Sequence, residues 1–297
     1  MENKVLITGY NGFTGQYIIR ALEQAGFSVF GLVSSNSDNH KCFKADLNNK
    51  QSLQKAIIEV KPDYVIHLAA KAFVGHGNIS DFYTTNLIGT RNLLEVISEN
   101  LPDIKHVIIA SSANVYGNTQ DGCLNEKTIP NPANDYAISK IAMEYVSQLF
   151  VNKLPITITR PFNYTGIGQD GNFLIPKIIK HFKARADMIE LGNIEVWREF
   201  NDVRYIADLY VSLLNIKPGE VINLCSGKYY ALKEIVDTCT NITGHRIQIK
   251  INPNFVRENE VRVLAGDPSK LNKLVNVENK YTIENTLRWM LEGNEVK

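Results

Sequence analysis

The first half of the chain alternates short β-branched runs with segments whose apolar residues recur at helical spacing, and this alternation restricts the fold more than any other feature. The candidate strands are KVLIT (4–8), SVFGLV (28–33), CFKA (42–45), YVIHLA (64–69), HVIIAS (106–111) and ITITR (156–160). Between them lie GQYIIRALEQAG (15–26), NKQSLQKAIIEV (49–60), DFYTTNLIGTRNLLEVISEN (81–100) and NDYAISKIAMEYVSQLFV (134–151), each with the periodicity of an amphipathic helix. Gly26 and Pro62 stand where helix ends are expected. Strands that each return through a helix run parallel, and a parallel sheet is covered on both faces. The pattern therefore predicts an α/β chain built on a Rossmann-type doubly wound parallel sheet.

From residue 161 the rhythm loosens into PFNYTGIGQDGNF, followed by a helical pattern at 173–184 and a buried run, VINLCSG, at 221–227. With 297 residues and 44% hydrophobic content, the chain has material for one large core and a smaller lobe. The expected division is a sheet domain over 1–162, to which 201–227 returns, and a smaller C-terminal lobe from 163–200 and 228–297.

Charge and cysteine content narrow the partners. Lys and Arg number 32 against 31 Asp and Glu, a net charge of +1, which supplies no field for nucleic acid or an acidic membrane. Cys42, Cys123, Cys225 and Cys239 form no CxxC pair, and the histidines form no metal-like cluster, so no metal is expected. Isolated thiols, together with an N-terminus lacking a signal-type apolar core and no run near the roughly 20 residues of a membrane span, point to a soluble cytoplasmic protein.

Three glycines, Gly9, Gly12 and Gly15, occupy the turn from the first strand into the first helix. A diphosphate needs such a turn: small residues admit its close approach, and the helix N-terminus offers amides and partial positive charge. The spacing is GxxGxxG rather than GxGxxG, and a plain tight turn is the competing reading. The second strand ends in Ser34, Ser35 and Asn36, with Asp38 further on, so no acid stands where a ribose 2′-hydroxyl would be read. Small hydroxyl and amide groups tolerate a 2′-phosphate, which inclines the cofactor from NAD towards NADP.

Tyr136 and Lys140 lie four residues apart, on one face of a predicted helix. A lysine cation one turn away stabilises a phenolate and brings tyrosine towards the range where it exchanges protons near neutral pH. Ser112 falls at the C-terminal end of a predicted strand, where open α/β sheets place their ligands. The bland reading of YxxxK is a surface helix pair. His67, inside an apolar strand, reads as a core histidine bonded to backbone rather than as a ligand.

These segments resemble the extended short-chain dehydrogenase/reductases that act on nucleotide-sugars. The resemblance spans nearly the whole chain: TGxxGxxG (8–15), ADL (45–47), HLAA (67–70), NLIGTRNLLE (86–95), SSANVYG (111–117), YxxxK (136–140), RPFN (160–163), REFNDVRYIAD (198–208), NLCSG (223–227) and GDPSKL (266–271). It implies Ser112, Tyr136 and Lys140 as the catalytic set, with Tyr136 as acid/base. It implies a dinucleotide held by Gly9, Asn11, Gly12, Phe13, Thr14, Gly15, Ser34, Asp46, Leu47, Leu68, Ala69, Ala70, Tyr136, Lys140 and Arg160, with Asp46 at the adenine and Lys140 at the nicotinamide ribose. For the nucleotide-sugar it implies Lys71, Phe73, Ser112, Asn114, Asn163, Lys177, Arg198 and Arg257, the arginines gripping diphosphate or ribose. For any lone arginine a solvated charge is the alternative, and the Lys71 side chain is as well suited to water as to a sugar hydroxyl. Family members pair helices such as 81–100 and 134–151 into a homodimer; the alternative is packing on their own sheet.

RPFN, VWREFNDV and AGDPSKL are most similar to the branch of GDP-6-deoxy-4-keto-hexose reductases and GDP-mannose 4,6-dehydratases. Dehydratases of that branch carry a glutamate two residues after the catalytic hydroxyl. This chain has Asn114 there, an amide with no useful acid–base chemistry. The expectation is therefore hydride transfer at C4 of a nucleotide-linked 4-keto-6-deoxyhexose, GDP-linked in preference to dTDP-linked, with a 4-epimerase or 4,6-dehydratase of the same family as the alternative and a non-enzymatic dinucleotide sensor disfavoured because serine, tyrosine and lysine are all retained.

Overall fold

A computed structural model describes residues 3–72, 78–117, 122–255 and 261–293. The chain divides into two compact units. The first comprises Met1–Gly117, Ile129–Pro161 and Ala207–Ile222; the second comprises Asn118–Thr128, Phe162–Ile206 and Asn223–Lys297.

The first unit is built around a seven-stranded sheet in the order Val221–Leu224, Ile156–Pro161, His106–Ala110, Tyr64–His67, Lys4–Thr8, Ser28–Val33, Cys42–Lys44. The pairings among Cys42–Lys44, Ser28–Val33, Lys4–Thr8, Tyr64–His67 and His106–Ala110, and of His106–Ala110 with Ile156–Pro161, are parallel. Alternate residues face opposite sides: Leu6, Val65, Val107 and Ile109 join a core with Leu53, Ile57, Leu93, Ile97 and Met143, while Val5, Ile7, Ile66 and Ile108 are equally buried on the other face. This is the Rossmann-type order, and the chain reverses direction across the sheet between Lys4–Thr8 and Tyr64–His67. Ligands in such sheets lie outside the strand C-termini at that reversal, here Thr8 and His67.

Local chemistry fixes the helix starts around that end. Asn49 Oδ1 accepts from the Ser52 N–H at 3.0 Å, and Asn134 Oδ1 from the Ala137 N–H at 2.9 Å, capping helices Lys50–Val60 and Asp135–Gln148. Helix Ser80–Phe82, a π-helical stretch Tyr83–Gly89 and helix Thr90–Asn100 run on without a break. Gly89 belongs there for want of room: a Cβ at this position would lie 2.8 Å from the Leu47 Cβ.

The second unit contains a four-stranded sheet ordered Tyr229–Ala231, Trp197–Glu199, Val263–Gly266, Gly122–Leu124, antiparallel at its first pairing and parallel at the other two. Two short parallel ladders join Asn201–Asp202 to Tyr164–Thr165 and Gln248–Ile251 to Met188–Leu191. Its core is made by helices Leu174–Lys183, Leu232–Thr243 and Ile283–Glu292 through Ile178, Phe182, Ile235, Cys239, Leu287 and Met290. Among the described residues no helix is long and apolar enough to cross a membrane, and no cluster of metal-ligating side chains occurs. All four cysteines are free.

Candidate functional site

The glycine turn has the form of a cradle. Gly9 has φ +74°, and a Cβ there would lie 2.9 Å from the Ala69 nitrogen; at Gly15 it would lie 2.4 Å from the Gly9 carbonyl oxygen. The Gly12 N–H donates to Gly9 C=O at 2.9 Å, which closes the turn directly before helix Phe13–Gln24. Asn11 and Gly12 are exposed, and no acidic residue lies in the first helical turn. A backbone that approaches this closely, at the positive end of a helix dipole, fits a diphosphate. The residues expected next to it lie in the same unit: Leu68, Ala69 and Ala70 are half-buried, and Ser34 is exposed after its strand. Asp46 is exposed too, its carboxylate accepting from the Asn48 N–H at 2.9 Å, while the Leu47 C=O accepts from Asn92 Nδ2 at 3.0 Å.

A chain of hydroxyls connects this loop to the long helix. Thr8 Oγ1 accepts from the Ala69 N–H at 3.1 Å and meets His67 Nδ1 at 2.6 Å; His67 Nε2 meets Thr90 Oγ1 at 2.8 Å. Thr90 donates its own proton to Asn86 C=O at 2.6 Å, so it accepts from Nε2–H, and Thr8 donates to Nδ1. His67 is thus a neutral core histidine, as expected, but its partners are hydroxyls rather than backbone. Burial, reinforced by the charge of Lys140, pushes its pKa down to about 3.

Asn86, fully buried in the π-helical stretch, pairs with the backbone of Lys71 through both ends of its amide, Oδ1 from N–H at 2.8 Å and Nδ2 to C=O at 3.0 Å. Its Nδ2 also donates to Ser139 Oγ at 2.9 Å, and Ser139 donates to Tyr136 C=O at 2.7 Å. The segment after the fourth strand and the first turn of helix Asp135–Gln148 are thereby held by one amide. The Lys71 side chain is exposed, and Phe73 lies outside the described residues.

Tyr136 is half-buried, with its ring 6.2 Å from that of Phe82 in an edge-to-face contact. Lys140, one turn on, is 3% exposed, and its Nζ donates to Ala110 C=O. Burial lowers its pKa to about 8, an effect opposed by the nearby charge of Glu144. Ser112 is buried two residues beyond Ala110, and its Oγ accepts from the Asn114 N–H at 3.2 Å. The bond from Lys140 to the end of the strand therefore brings the tyrosine–lysine helix and the serine segment into contact. Asn114 itself is exposed.

The Arg160 side chain is committed within the protein. Expected among the cofactor residues, it is 6% exposed, and its fork is already taken: Nε and Nη2 donate to Glu144 at 3.0 and 2.7 Å, and Nη1 donates to the Tyr116 hydroxyl at 3.0 Å. Burial works against its charge, yet the bonds to Glu144 outweigh that and hold its pKa above the ordinary value. Its acid partner Glu144, four residues after Lys140, went unnoticed in the sequence; the YxxxKxxxE spacing was the available signal.

The remaining substrate candidates belong to the second unit. Asn163 is exposed, and its C=O accepts from the Asn201 N–H at 2.8 Å. The Lys177 ammonium donates to Glu190 C=O at 2.8 Å and lies 4.5 Å from the Phe255 ring centroid, which gives it a packing role within its own unit. Arg198 is half-buried with Nη1 on Trp197 C=O at 2.8 Å. Arg257 lies outside the described residues.

Comparison with known proteins agrees with this geometry. Residues 6–290 match the GDP-mannose 4,6 dehydratase family. The chain is similar to the GDP-6-deoxy-D-talose 4-dehydrogenase of Aggregatibacter actinomycetemcomitans, with 36% identity over 94% of this chain and 93% of that protein. It is also similar to the GDP-6-deoxy-D-mannose reductase of Pseudomonas aeruginosa, with 29% identity over 99% and 98% of the two chains. The solved structure of RMD from Pseudomonas aeruginosa, complexed with NADPH, superposes with a TM-score of 0.84 at 28% identity, covering 97% of this chain and 98% of that one. UDP-glucose 4-epimerases match at lower identity. With the glycine cradle, the strand-end serine and the YxxxK helix in one Rossmann-type unit, the chain belongs to the GDP-mannose 4,6 dehydratase family of extended short-chain dehydrogenase/reductases.

Proposed function

We propose that this protein reduces the C4 keto group of a nucleotide-linked 4-keto-6-deoxyhexose, GDP-linked in preference to dTDP-linked, using NADPH or NADH held by the glycine cradle. When bound, the reduced nicotinamide supplies a hydride to C4. The Ser112 hydroxyl holds the carbonyl oxygen, and Tyr136 gives that oxygen its phenolic proton, so that ketone, hydride and proton together make the alcohol. Lys140 keeps a positive charge one turn from Tyr136, which favours the phenolate left behind. The observation that carries this reading is the buried Lys140, tied to the strand end that leads to Ser112. Asn114 supports reduction over dehydration, because an exposed amide cannot take a proton from C5.

The test is a panel of GDP- and dTDP-4-keto-6-deoxy sugars with NADPH and NADH, products identified by NMR. Stoichiometric cofactor consumption is expected; sugar isomerisation without net consumption would favour the 4-epimerase reading. Tyr136→Phe is expected to lower turnover by about 10²–10⁴-fold while cofactor affinity holds. Ile88, Tyr145 and Leu149, exposed at 46%, 60% and 69% on the long helix and around the end of helix Asp135–Gln148, support a homodimer, whose mass sedimentation measures.

A further inference from the structure

We infer that Glu144 is a positioning residue for the reaction proposed above, clamping the segment that presents Ser112 and keeping a negative charge beside Lys140. The proposal rests on that reading of the reaction, and the geometry behind it lies wholly within the first unit. Helix Asp135–Gln148 grips the strand end at two successive points. Lys140 takes Ala110 C=O, and Glu144 Oε1 accepts the Ser111 hydroxyl at 2.5 Å. Ser111 is further fixed by its N–H on Thr159 C=O at 2.7 Å. Ser111 thus sits between the lysine contact and Ser112, the serine proposed to hold the carbonyl oxygen.

Arg160 makes this clamp rigid. Its two parallel bonds orient the Glu144 carboxylate, and its third reaches Tyr116, at the end of the short turn Ala113–Tyr116 that carries Asn114. Glu144 and Arg160 are 2% and 6% exposed, so water screens neither. Among the described residues, the charged and titratable groups that act on Lys140 and Glu144 are His67 on the fourth strand and Arg160 on the strand Ile156–Pro161, with Tyr116 on the turn meeting Arg160 and Tyr136 one helical turn before Lys140. His67 is neutral; therefore Glu144 is the anion that offsets both Arg160 and Lys140. With Glu144 neutralised, Arg160 would face Lys140 uncompensated and the ammonium would lose its proton more easily. With Arg160 neutralised, Glu144 would act on Lys140 at full strength and the ammonium would hold its proton longer.

The experiment titrates Lys140 directly, by NMR of ¹³Cε-labelled lysine in the whole protein, its resonance assigned by its loss in Lys140→Met. Glu144→Gln should lower the Lys140 midpoint by about one pH unit or more, and Arg160→Met should raise it. The alkaline limb of turnover should move the same way in each variant. A folded variant with an unmoved midpoint, or two variants shifted in the same direction, overturns the proposal. Because either substitution strands a buried charge and threatens folding, Ser111→Ala provides a third arm. It should reduce kcat on the order of tenfold with KM for the cofactor held, since it loosens Ser112 without changing charge; an unchanged kcat overturns the clamp. A wild-type protein that turns over no nucleotide-sugar would refute the proposed reaction, while the NMR midpoints would still decide the electrostatic role of Glu144.

Discussion

Each unit buries a glutamate, and the two are satisfied by opposite means. Glu144 meets a guanidinium in a two-pronged ion pair and takes one hydroxyl besides. Glu199, fully buried in the second unit, has no such cation among its hydrogen-bond donors in the described residues. Its Oε1 accepts from the Ser226 N–H, from Ser226 Oγ at 3.1 Å and from Asn201 Nδ2 at 2.8 Å; its Oε2 accepts from the Gly266 N–H at 3.0 Å. Burial raises its pKa even against those four donors. The difference teaches what each carboxylate is for. Glu144 is wired to the segment that carries Ser112, whereas Glu199 ties its own strand to the loop at Ser226 and to the strand Val263–Gly266.

The largest expected effect on stability comes from breaking the second arrangement. Glu199→Leu leaves the buried Gly266 N–H and the partly buried Ser226 N–H without their acceptor, at a cost of about 3 kcal/mol or more. Urea unfolding followed by tryptophan fluorescence reports it, because Trp197 and Trp289 both belong to the second unit. An unfolding midpoint within error of the wild type would mean that Glu199 is not the clasp described here.

A smaller loss should follow at the second unit's own ion pair. Arg204 donates Nε and Nη2 to Asp202 at 2.9 and 2.7 Å, and its guanidinium lies 4.2 and 3.8 Å from the rings of Tyr281 and Trp289. Thr286 Oγ1 donates to the same carboxylate at 2.7 Å, joining helix Ile283–Glu292 to the ladder strand Asn201–Asp202. Arg204→Met keeps the apolar stem but strands the Asp202 carboxylate, for about 3 kcal/mol. Arg204→Lys should recover only part of that, since an ammonium cannot reproduce the fork. Full recovery by lysine would show that charge alone, without planar geometry, holds the helix.

The sheet and the proposed trio of Ser112, Tyr136 and Lys140 were legible because each rests on a local rule. Alternating apolar runs mark buried strands, and Tyr136 with Lys140 falls on one face at helical spacing whatever surrounds them. The glycine turn was readable for the same reason: Gly9 and Gly15 are required by contacts with Ala69 and with the turn itself. Helix Val203–Leu213 and the strands of the second unit were harder to see. Strands such as Trp197–Glu199 and Tyr229–Ala231 are three residues long, too short for a period to show. The pairing of Arg160 with Glu144 was hidden for a related reason. A guanidinium looks the same in sequence whether it faces a phosphate or a buried carboxylate, and only the tertiary fold brings Glu144 to it. The π-helical Asn86 escaped notice likewise, its partners Lys71 and Ser139 being far apart in the chain.

The smallest predicted effect sharpens the contrast between the units, because one buried group in each responds to pH in the opposite direction to the other. His67 titrates near 6.5 when unfolded and is held down to about 3 by burial in the first unit. Between those values the unfolded chain binds the extra proton, so the contribution of His67 to stability is intact above 6.5 and falls as pH drops towards 3. At pH 5.5 that loss is about 1 kcal/mol. Glu199 has the reverse sign. Its folded pKa lies above the ordinary 4.5, so the folded form binds the extra proton just above that value, and acidification raises the contribution of Glu199 itself. Amide exchange read separately on Tyr64–His67 and on Trp197–Glu199 should therefore show protection falling with acid in the first strand relative to the second, after correction for intrinsic exchange rates. His67→Asn should flatten the slope in the first unit alone. Parallel slopes in the two strands, unchanged by that substitution, would show that His67 does not carry the acid sensitivity of the sheet.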